Sequence, residues 1–184
     1  MARCFGDGDP LYERYHDEEW GVPVRDEKAL FERISLEAFQ SGLAWITILR
    51  KREGFRRAFA GFDPEVVAGY GEADVERLLG DASIVRNRAK VEATIANARA
   101  LLDLHGAGET LADLLWSHAP APRPPAATFS DLPASTPESV ALAKALKRRG
   151  FRFVGPTTLY AAMQACGVVD DHLAGCPARR SGGG

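Results

Sequence analysis

The chain has 184 residues, of which 46% are hydrophobic and 26% are charged, and its formal net charge is −2. This length and composition suit one domain with a sizeable core, and no apolar run is long enough to cross a bilayer. Because the three cysteines cannot all pair with one another and no signal-type segment precedes the first helix, we expect an intracellular protein in a reducing compartment.

Helical patterns follow one another along the chain, and we predict an all-α fold in a single domain, 1–184. Three helix starts are marked by a capping residue before a proline, at Asp9-Pro10, Asp63-Pro64 and Thr136-Pro137. Helical periodicity covers about residues 26–40, 44–59, 72–79, 88–104, 111–116, 138–149 and 156–166. Residues 119–137, rich in proline and alanine, predict an extended surface connection, and residues 177–184 predict a disordered tail.

Two cysteines and two histidines near the chain ends are candidate metal ligands: Cys4, His16, His172 and Cys176. The spacing of the last two allows both side chains to face one ion. Thiolate and neutral imidazole suit tetrahedral zinc, and four protein ligands leave no position for a catalytic water, so this site would be structural. Spacing alone leaves an alternative open, in which the cysteines are small core residues and the histidines make ordinary contacts.

Aromatic residues and one carboxylate in the first half of the chain predict a slot for a planar ligand. Tyr12 and Tyr15 share a helix face, Trp20 follows little more than a turn later, and Trp45 lies in a later helical segment. Aromatic faces stack on a planar base and favour a cationic base over a neutral one. Glu37 could supply a hydrogen-bonding partner of complementary charge. The alternative is that the aromatic side chains form core and that Glu37 faces solvent.

A short hairpin between two predicted helices, residues 150–155, is a candidate phosphate-binding element. The net charge provides no general attraction to DNA, but residues 139–169 contain no Asp or Glu and several basic side chains. Glycine at each end allows close approach of a ligand to the backbone, and amide groups at the following helix start can bind a phosphate. The expected contacts are Lys147, Arg148, Gly150, Arg152 and Gly155. A solvated basic helix face is the alternative.

Several collinear motifs cover nearly the whole chain, from residue 4 to about 176. They are residues 9–23 (DPLYERYHDEEWGVP), 42–47 (GLAWIT), 84–88 (IVRNR), 151–155 (FRFVG) and 163–167 (MQACG), together with Cys4, Leu36-Glu37 and Asp171-His172. Taken in order, these motifs resemble the DNA-3-methyladenine glycosylase I family. The resemblance implies an all-helical fold of the helix-hairpin-helix glycosylase superfamily, removal of 3-methyladenine from alkylated double-stranded DNA, and one structural zinc ion.

The resemblance also assigns roles to individual positions. All four candidate ligands match the family's zinc site. The position of Glu37 contacts the exocyclic amine and the ring edge of the methylated adenine in the family. The positions that line the family's base pocket are matched by Tyr12, Tyr15, Trp20 and Trp45. A bacterial-type protein is implied, cytoplasmic and associated with the nucleoid when acting, and we expect a monomer without membrane contact or a redox or nucleotide cofactor.

The implied reaction is hydrolysis of an N-glycosidic bond after the nucleotide has been flipped out of the stack. Many helix-hairpin-helix glycosylases that also cleave the strand carry a catalytic lysine just after the hairpin. This chain has Gly155-Pro-Thr-Thr158 in that region. We therefore expect a monofunctional enzyme without lyase activity.

Two positions depart from the family pattern. Asp170 stands where the family usually has asparagine, in a Val-Asp-x-His run that resembles the context of the catalytic aspartate in other helix-hairpin-helix glycosylases. It is therefore a second candidate catalytic residue beside Glu37, which would stabilise the sugar cation or position water; a tolerated surface or helix-end aspartate is the alternative. Phe5 lies near where the family tends to place a tryptophan, and it could replace that aromatic ring.

Two other functions share parts of this pattern. A non-catalytic helix-hairpin-helix protein that binds damaged DNA would have the same hairpin and zinc site, but it would not require Glu37 with four aromatic residues. A zinc hydrolase would need an open metal position, which four protein ligands do not leave.

Overall fold

A computed structural model describes residues 2–180, in which the chain forms helices and no β-strand, so the predicted all-α class is confirmed. The helices, in chain order, are α1 (Pro10–Glu18), α2 (Glu27–Gln40), α3 (Trp45–Ala58), α4 (Pro64–Ala68), α5 (Glu72–Leu79), α6 (Arg88–Gly106), α7 (Leu111–Ser117), α8 (Pro137–Arg148) and α9 (Pro156–Ala165). Short 3-10 turns lie at Ala60–Phe62 and Phe129–Asp131. Among these described helices, none combines the length and the apolar character that a membrane crossing requires.

The predicted helix starts are confirmed, because the capping side chains bond to the first helical turns. Asp9 accepts hydrogen bonds from the backbone N–H groups of Leu11 and Tyr12, at 3.0 and 3.2 Å. Asp63 and Thr136 cap α4 and α8 in the same way. Such a cap stabilises a helix by about 1 kcal/mol. The cap on α1 therefore helps to fix the helix that carries Tyr12 and its neighbours.

Helix α2 lies at the centre of the fold and packs against α3, α6, α7 and α9. Every residue from Ile34 to Phe39 is buried. A helix that is buried on all sides normally carries apolar residues, and Glu37 is the one charged residue in this stretch. Close packing around it holds the backbone of Glu37 in a fixed place.

The C-terminal end of α2 is held by a buried lysine from α6. Lys90 Nζ donates to the carbonyl oxygens of Phe39 and Ser41, at 2.9 and 2.7 Å. The positive charge lies beside the last carbonyl groups of α2, where the helix dipole favours a cation. Gln40 Nε2 also donates to the carbonyl of Leu43 at 2.5 Å. These bonds set the path of the turn that leads from α2 to α3.

The connection between α7 and α8 contains no α-helix, as predicted, and specific contacts fix its path. Arg123 Nη2 donates to Asp171 Oδ1 and to the hydroxyl of Tyr160, each at 2.6 Å. The backbone N–H of Ala174 donates to the carbonyl of Ala126 at 2.9 Å. The connection is therefore tied both to α9 and to the C-terminal segment.

The N-terminal and C-terminal segments lie side by side. The backbone N–H of Leu173 donates to Cys4 Sγ at 3.3 Å. Arg179 Nη1 donates to the carbonyl of His172, also at 3.3 Å. Residues 181–184, half of the predicted disordered tail 177–184, lie outside the described residues.

Candidate active site

A cavity of about 350 Å³ opens between α1, α2, the start of α3, α9 and the α7–α8 connection. Its walls are mainly aromatic. The lining residues are Phe5, Tyr12, Tyr15, Trp20, Glu37, Gln40, Trp45, Phe129, Ala161 and Gln164. The structure thus brings together all five residues that the sequence predicted for a base slot, although they come from three helices and a loop.

The aromatic rings of the cavity meet at angles rather than forming a closed stack. Tyr15 and Trp45 have ring centroids 5.4 Å apart and planes inclined by 42°. Phe5 lies 5.0 Å from Tyr12 and 5.0 Å from Trp20. An open arrangement of tilted rings leaves π faces available to a planar ligand.

Glu37 places a carboxyl group in this apolar cavity, and only 6% of the residue is exposed. Burial raises its pKa to about 8, and the neighbouring Arg33 guanidinium opposes this rise. Burial also raises the pKa values of Tyr12 and Tyr15, and the nearby Glu37 adds to both shifts. A cation entering the cavity would favour the ionised form of Glu37, because opposite charges attract strongly where water is excluded.

Three of the four predicted metal ligands converge behind the cavity. The ligand atoms of Cys4, His16 and Cys176 all lie within 4.8 Å of one another. His16 Nε2 is 3.5 Å from Cys176 Sγ. This group could hold a metal ion, and it joins the two ends of the chain.

The fourth predicted ligand, His172, packs against His16 but is not part of this group of three. Its ring centroid is 5.1 Å from that of His16. Its Nδ1 lies 2.7 Å from Asp170 Oδ1, and its Nε2 is fully buried with no hydrogen-bond partner among residues 2–180. His16 Nδ1 is likewise 2.8 Å from Asp17 Oδ1. Metal-binding histidines are commonly oriented by a carboxylate on the other ring nitrogen, so the donor set fits zinc.

The third cysteine belongs to the core. Cys166 is wholly buried among apolar residues. Burial raises the pKa of its thiol to about 12. It lies outside the cluster formed by Cys4, His16 and Cys176.

Asp170, the second candidate catalytic residue, lies beside the candidate metal ligand His172. It does not line the cavity. Its Oδ1 instead lies beside His172, accepting a hydrogen bond from that residue's backbone N–H at 3.2 Å as well as contacting the ring. This geometry favours orientation of His172 over the catalytic role expected for Asp170.

Phe5 joins the cluster of Cys4, His16 and Cys176 to the cavity. Its ring packs edge-on against His16 and Trp20, at centroid distances of 4.9 and 5.0 Å. Trp20 in turn lies 4.7 Å from His172. The cluster therefore packs directly against the aromatic wall, and Phe5 supplies the ring whose role the sequence left open.

The hairpin between α8 and α9 has the backbone geometry that its glycines predict. Gly150 has φ +89°, and Phe153 has φ +54°. Asn97 on α6 holds the hairpin from behind: its Oδ1 accepts from the N–H of Arg152 at 2.7 Å, and its Nδ2 donates to the carbonyl of Arg152 at 2.9 Å. The Arg152 and Phe153 side chains are exposed. Gly155, the N-cap of α9, provides no side-chain cap, and Pro156 has no N–H, so the N–H groups of Thr157 and Thr158 have no side-chain partner.

The expected basic contacts at the end of α8 are exposed. They are Lys147 and Arg148, in its last turn. Arg149 pairs with Glu109 at 2.6 Å, so its charge is already compensated. The exposed basic residues of this region are therefore Lys147, Arg148 and Arg152. Arg152 also lines a separate surface cavity, together with Glu72 and Glu92.

Sequence reasoning missed several residues that the structure brings to these sites. Gln40, Phe129, Ala161 and Gln164 line the cavity, and Asn97 supports the hairpin. Phe129 was detectable as an isolated aromatic residue within a proline-rich connection. Gln164 lies within the motif 163–167, but no role was assigned to it, and the others gave no signal because their roles depend on contacts between distant segments.

Comparison with known proteins gives a match along nearly the whole chain. The methyladenine glycosylase family matches residues 5–180. The DNA-3-methyladenine glycosylase 1 of Escherichia coli (strain K12) is 54% identical over 180 residues, which cover 96% of each chain.

Solved structures give the same result. A crystal structure of a 3-methyladenine DNA glycosylase I has a TM-score of 0.94 at 51% identity, covering 97% of this chain and 100% of that one. The Staphylococcus aureus 3-methyladenine DNA glycosylase I, whose structure concerns 3-methyladenine recognition, has a TM-score of 0.92 at 37% identity, covering 98% and 97%. With this coverage in sequence and in fold, the chain belongs to the methyladenine glycosylase family.

Proposed function

We propose that this protein is a DNA glycosylase that hydrolyses the N-glycosidic bond of 3-methyladenine in alkylated double-stranded DNA. One observation carries the proposal: a buried carboxyl group, Glu37, stands in an aromatic cavity. The relatives named as 3-methyladenine DNA glycosylases support the choice of substrate.

The chemistry of the lesion explains why a cavity that only binds the base is sufficient for its removal. Methylation at N3 gives the base a positive charge, so the bond to the sugar is already weakened. When the C1′–N9 bond breaks, its electron pair passes to the base, which leaves neutral. Water then bonds to C1′ and loses a proton to solvent. The protein's main task is to select the cation, for which π faces and Glu37 are suited.

The base must leave the duplex to reach this cavity. We infer that the hairpin holds the DNA backbone while this happens, through phosphate contacts at Gly150 and Gly155 and the basic side chains of Lys147, Arg148 and Arg152. The start of α9 reads Pro156-Thr157-Thr158 and offers no lysine for strand cleavage, which supports a monofunctional enzyme. A monomer that works in the cytoplasm, on the nucleoid, belongs to the same proposal.

We further propose that Cys4, His16, His172 and Cys176 hold one structural zinc ion. The proposal is supported by the convergence of Cys4, His16 and Cys176 and by the unpartnered, buried Nε2 of His172. Bound zinc would accept electron pairs from two thiolates and two imidazoles and leave no open coordination position. The four residues would then fix the two chain ends and, through Phe5 and Trp20, the wall of the cavity.

The first experiment is incubation of purified protein with methylated duplex DNA, followed by chromatography of the released bases, with Glu37→Gln in parallel. We expect release of 3-methyladenine by the unmodified protein and a rate at least tenfold lower in the variant, about the effect of weakening one charged contact. A melting curve of the variant checks that it is folded. If the protein bound the DNA and released no base, the non-catalytic damage-binding function would replace this proposal.

A further inference from the structure

Asp171 is a buried carboxylate next to the cavity that the proposed reaction does not use, and only 5% of the residue is exposed. Three side chains donate hydrogen bonds to it. Arg123 Nη2 reaches Oδ1 at 2.6 Å, Gln164 Nε2 reaches Oδ2 at 3.0 Å, and the Tyr160 hydroxyl also donates to Oδ2. Of these three donors, only Gln164 also lines the cavity.

The bond to Asp171 fixes which end of the Gln164 amide faces the cavity. A carboxylate can only accept hydrogen bonds, so the amide nitrogen of Gln164 must face it. The carbonyl oxygen, Oε1, is then turned away from Asp171. This atom has no hydrogen-bond partner among residues 2–180. It is not fully buried, so part of its surface is accessible. Since Gln164 lines the cavity, the cavity is the space available to Oε1.

Gln40 repeats this arrangement at another part of the cavity wall. Its Nε2 is engaged by the carbonyl of Leu43, which likewise leaves its amide oxygen unpaired among the described residues. Each glutamine of the cavity therefore uses one of its two N–H donors inside the protein. In both amides the oxygen has no partner among the described residues, so each can offer a ligand a hydrogen-bond acceptor.

We propose that Gln164, oriented by Asp171, is a specificity-determining residue that accepts a hydrogen bond from the exocyclic amine of the flipped base. This inference rests on the proposed function. The exocyclic amine of adenine carries two N–H donors that point in different directions. When Glu37 accepts a hydrogen bond from one of them, the other needs a second acceptor. A 6-oxopurine such as 3-methylguanine places an acceptor at the same edge, where it faces the Gln164 oxygen without a proton between them. A site with a fixed acceptor rejects such a base, because the oxygen of Gln164 and the O6 atom of the base both stay unpaired.

The test is Asp171→Asn, assayed for release of 3-methyladenine and 3-methylguanine from one preparation of methylated duplex DNA. An asparagine amide can donate to Gln164 Oε1, so the Gln164 amide is free to turn and present its nitrogen to the cavity. We expect the ratio of the two release rates to fall by about tenfold, the effect of one hydrogen bond exchanged for an unpaired group. Gln164→Leu, which removes the amide, should lower the same ratio and serves as the test if Asp171→Asn does not fold.

Tyr160→Phe is the matched control. It removes another hydrogen bond to Asp171 but leaves the Gln164–Asp171 bond in place. We expect a lower melting temperature and an unchanged ratio of rates. If this control changed the ratio as much as Asp171→Asn, or if Asp171→Asn and Gln164→Leu slowed both releases equally, the proposal would be overturned. If the unmodified protein released neither base, the proposed function itself would fail, and this inference with it.

Discussion

At the scale of single residues, Glu37 shows how a binding group can lower the stability of the fold that holds it. The carboxyl group is buried in an apolar cavity without a hydrogen-bond partner among the described residues. Its pKa is about 8 in the folded protein, against an ordinary value of 4.5. The folded state therefore retains a proton that the unfolded state has already released at neutral pH.

This difference predicts a pH-dependent effect of Glu37→Gln on stability. Below pH 4.5 both states of the unmodified protein are protonated at Glu37, and the residue adds no pH-dependent cost. As pH rises from 4.5 to about 8, only the unfolded state releases its proton, so stability falls, by at most about 5 kcal/mol at 1.36 kcal/mol per pKa unit. The variant lacks this loss, so it should gain stability relative to the unmodified protein as pH rises.

Urea unfolding of both proteins at pH 5 and pH 9 measures this effect. The other titrating groups are common to both proteins, so the difference between them isolates Glu37. A difference in unfolding free energy that stayed the same at the two pH values would show that the pKa of Glu37 is not raised.

Asp170 gives a second prediction at this scale. Its Oδ1 contacts His172 Nδ1 at 2.7 Å, an interaction that an asparagine oxygen can also make but an alanine cannot. We expect Asp170→Asn to keep the rate of base release. Asp170→Ala should weaken zinc binding by roughly 10-fold to 100-fold, as loss of an outer carboxylate typically does. Zinc titration and base-release assays of both variants measure this; a slow Asp170→Asn variant with its zinc in place would restore the catalytic hypothesis.

At the scale of helices and turns, the hairpin contains two glycines that serve different purposes. Gly150 has φ +89°, a conformation that L side chains rarely adopt, so the fold itself requires glycine there. Gly155 has φ −69° and ψ 166°, which any residue can adopt, and a Cβ atom there would meet nothing within 4 Å. The fold does not require glycine at position 155, and close approach of a ligand would explain it.

Alanine at each position separates these two roles. Gly150→Ala should cost about 1–2 kcal/mol of stability because of backbone strain. Gly155→Ala should leave stability unchanged, or raise it by up to about 1 kcal/mol, and should weaken binding to duplex DNA because the methyl group blocks a phosphate. Thermal unfolding and fluorescence anisotropy with a labelled duplex give the two readouts. Unchanged DNA affinity in Gly155→Ala would argue against the phosphate contact at this glycine.

How far the sequence predicts the structure depends on whether a feature is local. The starts of α1, α4 and α8 follow from a capping side chain and a proline that are adjacent in the chain, and they were predicted correctly. The outward-facing amide oxygen of Gln164 was not predicted. Its orientation depends on Asp171, seven residues away, and on Arg123, 41 residues away in the α7–α8 connection. The contact of Asp170 with His172 could not be predicted from the sequence either, which offered a catalytic role or a tolerated surface aspartate.

At the scale of the whole molecule, the proposed zinc site links global stability to the shape of the cavity. Cys4 and Cys176 come from opposite ends of the chain, and their sulfur atoms converge on His16. Closing so long a loop removes much of the entropy of the unfolded chain. Because Phe5 follows Cys4 directly and lines the cavity, the same link also holds one wall of the proposed base site.

Removal of this link should therefore lower stability more than it alters chemistry. Cys4→Ala should bind no zinc, should melt well below the unmodified protein, and should no longer respond to a chelator. Cys166→Ala is the matched control, because Cys166 is buried in the core and outside the cluster. It should lose about 1–2 kcal/mol through lost packing but keep its zinc and its response to chelator. Metal analysis with melting curves, each with and without chelator, distinguishes the two. If Cys4→Ala had lost its zinc and still melted at the same temperature as the unmodified protein, the ends would be held together by packing alone.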